Sequence, residues 1–401
     1  MEQMLAETHG SVPGAVAAML TNRARHDDGI VQRRTQSWGA GPVAPHELLA
    51  VELPDVEQHA ASNAPLRSDD VEGPAPDLDS LLELVRRRPR AGAHAVGLNR
   101  AVRLSGGYSK LMVAAEVQWD DGTSEPVVLR TVAPGRSSGG LRQEHEVLRF
   151  LFARGYPVPE PWWYDDRNAP TLATSLVPGR TRGDVNGWES SPDAPALAAL
   201  AQTLVGLHQL DVTELSDAPL PDLVSTDDRR AAVAERRAVL QGLWATGDDA
   251  WAPLFNLVLD WLLEHLPDDS PSGVLVHGDF GPHNVMLLDG SAIVTAVLDW
   301  ERAHRGAAVE DLAYLRPTLD QEAWIRFLDH YSAATGSAVD PLELHWYLVW
   351  QDLWRAVSAY RMRHMFLSGR RGLTYAVSGL VLAPRFLDRA VCNVAAEGEP
   401  C

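Results

Sequence analysis

The chain has 401 residues, of which 45% are hydrophobic and 22% charged, the composition of an ordinary globular protein with enough apolar side chains for a sizeable core. Its formal net charge of −19 argues against broad nucleic-acid binding, which requires clustered lysine and arginine. Two cysteines, Cys392 and Cys401, are too few for a cysteine-based metal site, and no apolar run reaches the length of a membrane-spanning helix. We therefore predict a cytoplasmic protein without nucleic-acid or membrane partners.

The first half of the chain predicts an extension followed by a small sheet. Residues 1–75 contain scattered glycines and prolines without sustained periodicity, which indicates a poorly structured N-terminal extension. From residue 76, a helix capped by Asp79 precedes a series of strands that continues to residue 177. The predicted elements are a helix over 80–85, strands over 101–104, 111–119 and 126–132, a helix over 141–153, and strands over 160–164 and 172–177.

The second half, residues 178–401, is mostly helical by its apolar periodicity. A β-rich stretch, Val274–Trp300, interrupts the helices, and in it two apolar runs flank the turn Asp289-Gly290-Ser291. The predicted helices cover 194–210, 228–243, 251–266, 321–334 and 342–365.

The strongest chemical signal lies in the β-rich stretch. Asp279 is followed by Asn284 five positions later and by Asp299 just beyond the predicted hairpin. Phosphoryl transfer from a nucleotide needs such groups, because one carboxylate must orient the acceptor hydroxyl and further oxygen atoms must bind Mg2+. The spacing His-x-Asp-x-x-x-x-Asn that starts at His277, with an Asp downstream, is typical of a kinase catalytic loop and metal-binding Asp. A surface hairpin built from turn-forming residues is the alternative.

A nucleotide site is predicted in the sheet-forming half. Adjacent glycines between two strands let backbone N–H groups approach phosphates, although such a pair is more often only a tight turn. Arg130 on the third strand is a cation where kinases have a phosphate-binding lysine, and Glu144 on the next helix can pair with it. Lys110, the only lysine in the chain, is the alternative phosphate contact. The predicted loop residues are Ser105, Gly106, Gly107 and Ser109.

Several motifs together resemble the aminoglycoside phosphotransferase and choline kinase-like family. The resemblance runs from about residue 78 to about 320 and rests mainly on the two catalytic motifs. The motifs, in chain order, are Arg103-Leu104-Ser105-Gly106-Gly107, Val128-Leu129-Arg130, Gly155-Tyr156-Pro157-Val158-Pro159, Val177-Pro178-Gly179, Gly206-Leu207-His208, His277-Gly278-Asp279-Phe280 and Val297-Leu298-Asp299-Trp300-Glu301.

The resemblance implies an α+β, bilobal, protein-kinase-like fold. A small antiparallel sheet with one helix would form the N-lobe at residues 76–177. A helical C-lobe at residues 178–401 would carry the catalytic loop and the acceptor site. The resemblance also implies ATP as co-substrate, Asp279 as the catalytic aspartate, and Mg2+ bound by Asn284 and Asp299.

The resemblance assigns further residues. Thr174 and Leu176 belong to the segment expected to contact adenine, and His277 and Asp311 are expected to support the catalytic loop. For Asp311, a helix N-terminal acid without further role is an equal alternative. Glu301, next to the expected metal ligand Asp299, is the best candidate for an acceptor contact.

The predicted activity is transfer of the ATP γ-phosphate to a hydroxyl of a small molecule. The acceptor is either an antibiotic, such as an aminoglycoside or macrolide, or a metabolite. A nucleotide-binding pseudokinase is the alternative, since Arg130 replaces the usual strand lysine. A second departure is His283, which stands where a glycine is common. The sequence leaves the acceptor, the choice between ATP and GTP, and the oligomeric state open.

Overall fold

A computed structural model describes residues 78–86, 93–104, 110–132, 140–166, 170–184, 187–215, 220–247, 250–269, 273–369 and 373–396. The chain divides into two compact units. The first, called here the catalytic unit, contains the described residues up to Ser225 together with those from Gly273 to Val339. The second, called the helical unit, contains Thr226–Asp269 and the described residues from Asp340 onward. The predicted extension, residues 1–75, lies outside the described residues.

The catalytic unit begins with a five-stranded antiparallel sheet in the order β1-β2-β3-β5-β4. Three consecutive apolar residues of its central strand, Val127 to Leu129, are buried, as expected for a strand that is covered on both faces. Helix α1 packs Leu81 and Val85 against this sheet. The elements are α1 (Leu78–Arg86), β1 (Ala95–Leu104), β2 (Lys110–Trp119), β3 (Ser124–Val132), α2 (Leu141–Phe152), β4 (Pro161–Asp165) and β5 (Thr171–Ser175).

The rest of the catalytic unit is a set of short strands and helices. The hairpin β10–β11 was predicted from the sequence, and it pairs Val285 with Val297. The elements are β6 (Arg180–Thr181), β7 (Gly183–Asp184), β8 (Gly187–Trp188), α3 (Ala194–His208), β9 (Val274–Val276), β10 (Val285–Leu287), β11 (Val294–Val297), β12 (His304–Gly306), α6 (Val309–Leu315) and α7 (Gln321–Thr335), with 3-10 turns at Val212–Glu214, Trp300–Arg302 and Arg316–Thr318.

The helical unit is all helix in its described part. Its longest helix begins after Asp340, whose carboxylate accepts a hydrogen bond from the backbone N–H of Leu342. The helices are α4 (Thr226–Trp244), α5 (Ala252–Glu264), α8 (Pro341–Leu367), α9 (Leu373–Val377) and α10 (Ala383–Ala395), and a π-helical turn at Ser378–Leu382 precedes α10. Across the described ranges, none of the helices is both long enough and apolar enough to cross a membrane.

Candidate active site

The β10–β11 hairpin brings two oxygen-bearing side chains to the same end of the hairpin. Asn284 immediately precedes β10, and Asp299 is the second residue after β11. The backbone N–H of Leu298 donates to the carbonyl of Asn284 at 2.8 Å, which extends the hairpin pairing up to Asp299. The register therefore makes Asn284 and Asp299 neighbours although they are far apart in sequence.

The side-chain amide of Asn284 is oriented by the loop before it. Its Nδ2 donates to the backbone carbonyl of Asp279 at 2.9 Å. The Asn284 side-chain oxygen is therefore the atom left to act as a ligand. The same turn is closed by backbone bonds from Asn284 and Val285 to the carbonyl of Gly281, at 3.0 and 3.1 Å.

A buried carboxylate on helix α6 supports the loop before Asp279. Asp311 accepts hydrogen bonds from the backbone N–H groups of His277 at 2.9 Å and Gly278 at 2.8 Å. Burial would raise the pKa of Asp311, but a hydrogen bond from His208 and the charges nearby hold that pKa below its ordinary value. The remaining bond of His208 is to the hydroxyl of Tyr331, at 2.9 Å.

His277 joins this loop to the hairpin. Its Nδ1 accepts the backbone N–H of Asp279 at 3.0 Å, so Nε2 carries the proton that is donated to the Leu298 carbonyl at 2.9 Å. Burial lowers the pKa of His277 despite the acidic groups nearby, which favours this neutral form. Gly278 adopts φ +75°, and a Cβ there would lie 3.0 Å from the carbonyl oxygen of Arg302.

The Asp279 carboxylate is partly buried, with 20% of its side chain exposed. Its Oδ1 lies 3.1 Å from Nε2 of His283, and Tyr314 also forms a hydrogen bond to the carboxylate. Burial alone would raise the pKa of Asp279, but His283, the charge of Arg302 and the Tyr314 hydroxyl hold it well below its ordinary value. Asp279 is therefore ionised at neutral pH.

Arg130 connects the sheet to the hairpin. One of its terminal nitrogens donates to Glu144 Oε1, and the other lies 3.0 Å from Oδ1 of Asp299. Glu144 Oε1 also accepts the backbone N–H of Trp300 at 3.3 Å. Burial would lower the pKa of Arg130, but the two carboxylates raise it above its ordinary value. The guanidinium fork thus bridges two acids at once, which the compact ammonium of a lysine is poorly shaped to do.

Asp299 has an unusual backbone. Its φ of 62° makes it the one non-glycine residue with positive φ in the described ranges. Aspartate tolerates this left-handed conformation better than most residues. The next residue, Trp300, is fully buried, and its indole N–H donates to the Val297 carbonyl at 3.0 Å. This anchor and the bond to Arg130 keep Asp299 at the end of the hairpin.

The predicted nucleotide residues fall into two groups. Ser105, Gly106, Gly107 and Ser109 lie outside the described residues. Thr174 is buried on β5 opposite Val128, and the N–H of Leu176 donates to the Pro126 carbonyl at 3.5 Å. Lys110 begins β2 opposite Val132. Contacts of these residues with a nucleotide stay a prediction.

Glu301, predicted to contact the acceptor, lies on the 3-10 turn after Asp299 and is exposed. Its side chain is therefore accessible to a ligand, and its predicted role stays a prediction.

Sequence reasoning missed three side chains around the loop. Tyr314 lies three residues after Asp311 on α6, so the i, i+3 spacing already placed both on one helix face. Arg302 and His304 follow the hairpin, and His304 donates to buried Glu310 at 3.0 Å and to the Arg302 carbonyl at 2.9 Å. No local spacing signals these contacts.

The donor set suits magnesium. A carboxylate and an amide oxygen are hard ligands, and Mg2+ needs few protein ligands because it keeps several waters. The bond from the Asn284 amide nitrogen to Asp279 assigns the free end of that amide as oxygen. Asn284 and Asp299 therefore fit a Mg2+ ion.

Known proteins resemble parts of this chain. The model of the phosphotransferase enzyme family matches residues 100–362. The aminoglycoside 3'-phosphotransferase of Streptomyces fradiae is 34% identical over 217 residues, which are 50% of this chain and 76% of that protein. Acyl-CoA dehydrogenase family member 11 of Mus musculus is 29% identical over 202 residues, 48% of this chain. The match spans only 25% of that relative's length.

Solved structures share the fold. A candidate aminoglycoside phosphotransferase from Ralstonia eutropha superposes with a TM-score of 0.61 at 17% identity, covering 80% of this chain and 99% of that one. The macrolide 2'-phosphotransferase MphH of Brachybacterium faecium has a TM-score of 0.53 at 21% identity, covering 77% and 99%. These similarities confirm the predicted α+β kinase-like fold. With its family model matched over more than half its length, the chain belongs to the phosphotransferase enzyme family.

Proposed function

We propose that this protein is a cytoplasmic, ATP- and Mg2+-dependent O-phosphotransferase that phosphorylates a hydroxyl group of a small molecule. The observation that carries the proposal is the hairpin register, which brings Asn284 and Asp299 together beside the loop that presents Asp279. Phosphoryl transfer depends mainly on positioning and charge neutralisation, and this arrangement supplies groups for both.

Asp279 orients the acceptor hydroxyl. Because its pKa is held well below the ordinary value, it is a weak proton acceptor before the reaction starts. A loose transition state needs little deprotonation of the attacking oxygen, so an ionised carboxylate that accepts a hydrogen bond from the hydroxyl is sufficient. As the oxygen bonds to the γ-phosphorus, the bond from that phosphorus to the bridging oxygen breaks, ADP leaves with the bonding electrons, and the hydroxyl proton passes to the Asp279 carboxylate.

Asn284 and Asp299 would hold the metal. A bound Mg2+ supplies positive charge that offsets the phosphate oxygens. Arg130 adds a further cation, and its contact with Asp299 places it next to the proposed metal ligands. The proposed N-lobe at residues 76–177 would supply the nucleotide contacts, including the loop at residues 105–109.

Two classes of acceptor follow from the relatives. The Streptomyces fradiae and Brachybacterium faecium proteins are named as aminoglycoside and macrolide phosphotransferases, which supports an antibiotic. The Mus musculus relative is named as an acyl-CoA dehydrogenase family member. That name does not refer to an antibiotic, so a metabolite is the second class of acceptor. Both classes belong in the test.

The test is an ADP-release screen with Mg2+-ATP against hydroxyl-bearing compounds that include aminoglycosides, macrolides and primary metabolites. We expect one acceptor class to raise ADP release, and Asp279→Asn to abolish the increase while mant-ATP binding persists. The same substitution type at an exposed carboxylate, Asp329→Asn, is the matched control and should leave turnover unchanged. Equal turnover in Asp279→Asn and wild type would refute the role of Asp279. Nucleotide binding without any turnover would favour the pseudokinase.

A further inference from the structure

His283 lies in the loop between His277 and Asn284, and the proposed function assigns it no role. It lies four positions after Asp279, and its Nε2 is 3.1 Å from Oδ1 of that aspartate. Both side chains are partly exposed, 19% for His283 and 20% for Asp279. A glycine, which is common at this position in the family resembled, has no side chain to make this contact.

The hydrogen bond has a defined direction. An ionised carboxylate only accepts, so Nε2 of His283 must carry the proton. The other ring nitrogen, Nδ1, is buried without a hydrogen-bond partner. A proton on Nδ1 would be a buried donor without an acceptor, whereas a proton on Nε2 has the Asp279 carboxylate as its acceptor.

The imidazole ring lies next to Gly281 and near the ring of Tyr314. A Cβ added at Gly281 would lie 3.2 Å from Cε1 of His283 and 3.4 Å from Cε1 of Tyr314, so the glycine gives both rings room. The rings of His283 and Tyr314 lie 6.2 Å apart at 45°. The backbone turn closed on the Gly281 carbonyl fixes the position from which His283 extends.

His283 and Tyr314 therefore contact the Asp279 carboxylate from different elements, one from the loop and one from helix α6. A carboxylate with two such partners has its rotation restricted. Restricting that rotation matters because a misplaced reacting group lowers the rate steeply even when binding is unchanged.

We propose that His283 is a positioning residue, which donates its Nε2–H to Oδ1 of Asp279 and so fixes the carboxylate for the acceptor hydroxyl. This inference rests on the proposed function, since it assigns Asp279 to the acceptor. The mechanism requires a hydrogen-bond donor at this place. A side chain of similar length that can donate a hydrogen bond to Asp279 should restore part of the activity. An apolar side chain of similar size should not.

The test compares His283→Gln, which keeps a donor of similar reach, with His283→Leu, which removes it. Hydrolysis of Mg2+-ATP with water as acceptor is the assay, so no acceptor need be known. We expect His283→Leu to lower kcat about 10- to 100-fold with the KM for ATP within about twofold. His283→Gln should recover most of that loss. The matched control is His330→Leu at an exposed position on α7, which should behave as wild type.

A second measurement separates this inference from the proposed function. In ¹⁵N-histidine NMR of the full chain, the resonance that is lost in His283→Gln identifies His283. Its spectrum should show a proton on Nε2. The resonance of that nitrogen should shift in Asp279→Ala. Absence of turnover by the wild type with every compound of the acceptor screen would refute the proposed function, and the spectrum would still decide the contact. A proton on Nδ1, or no shift in Asp279→Ala, would overturn the inference. Equal kcat losses for Leu and Gln, or a loss confined to KM, would overturn it as well.

Discussion

Arg130→Met tests the bridge between the sheet and the hairpin. The guanidinium contacts Glu144, whose side chain is 1% exposed, and Asp299, whose side chain is 36% exposed. Removing the cation leaves the Glu144 charge buried without its guanidinium partner, whereas the Asp299 carboxylate stays in contact with water. The cost should therefore come almost entirely from Glu144.

The expected magnitude follows from that difference in burial. Removing one partner of a buried ion pair costs roughly 3 to 5 kcal/mol, whereas an exposed pair contributes about 1 kcal/mol or less. We expect Arg130→Met to destabilise the catalytic unit by about 3 kcal/mol. Adding Glu144→Gln removes the buried charge and keeps an oxygen for the Trp300 backbone N–H. The double variant should lie within about 1 kcal/mol of wild type.

Hydrogen exchange measured by mass spectrometry on peptides from β3 is the suitable assay, because a chain with two compact units need not unfold in a single step. A loss of 3 kcal/mol corresponds to exchange about 100-fold faster for the most protected amides of β3. The matched control is Arg149→Met, which removes an exposed helical pair with Glu146 and should leave β3 exchange unchanged. The reasoning would be refuted if β3 amides of Arg130→Met were as protected from exchange as those of wild type. It would also be refuted if the double variant exchanged as fast as Arg130→Met.

Three further predictions concern the supports of the catalytic loop. Asp311→Asn should lower the local stability of the loop by about 2 kcal/mol and reduce ATP turnover, as measured by hydrogen exchange of peptides from residues 274–284 and by ADP release; unchanged turnover would contradict the role of Asp311. Gly278→Ala, which forces a left-handed conformation on a residue with a Cβ, should cost about 1 to 3 kcal/mol in the same exchange measurement, and no change would contradict the strain. Burial would lower the pKa of His304, but the charge of Glu310 and its hydrogen bond raise the folded-state pKa above 6.5. The stabilisation from this pair is therefore complete below pH 6.5 and is lost as pH rises through the raised value. Unfolding measured from pH 5.5 to 8.5 should show this fall, at up to about 1.4 kcal/mol per pH unit, and His304→Gln should not.

Local pattern predicted most of the elements. The turn Asp289-Gly290-Ser291 identified the β10–β11 hairpin, and apolar periodicity placed helix α7 within one residue of its observed end at Thr335. Strand β1 is one exception, since it begins at Ala95 rather than at residue 101. Its first residues lack a β-branched run, and they are held by antiparallel pairing with β2, where Ala95 faces Trp119. Pairing of this kind is not visible in local propensity.

In the candidate site, local spacing likewise predicts some residues and not others. The spacing of Asp279, Asn284 and Asp299 could be predicted, because one loop and the short hairpin that follows it determine all three positions. The contacts of Tyr314 with Asp279 and of His208 with Tyr331 join elements far apart in the chain, and no spacing rule connects them. A histidine in a predicted helix or loop reads as an ordinary polar residue until its partner is known. Tertiary packing, rather than motif, places these groups.

The most direct test of the central claim is the position of a metal ion in a complex with nucleotide. Crystals grown with Mn2+ and a non-hydrolysable ATP analogue would reveal the ion by its anomalous scattering. We predict a peak at about 2.0 to 2.3 Å from the Asn284 side-chain oxygen and the Asp299 carboxylate, with Arg130 beside the phosphates. An ion bound elsewhere, with Asn284 and Asp299 pointing away from it, would contradict the account.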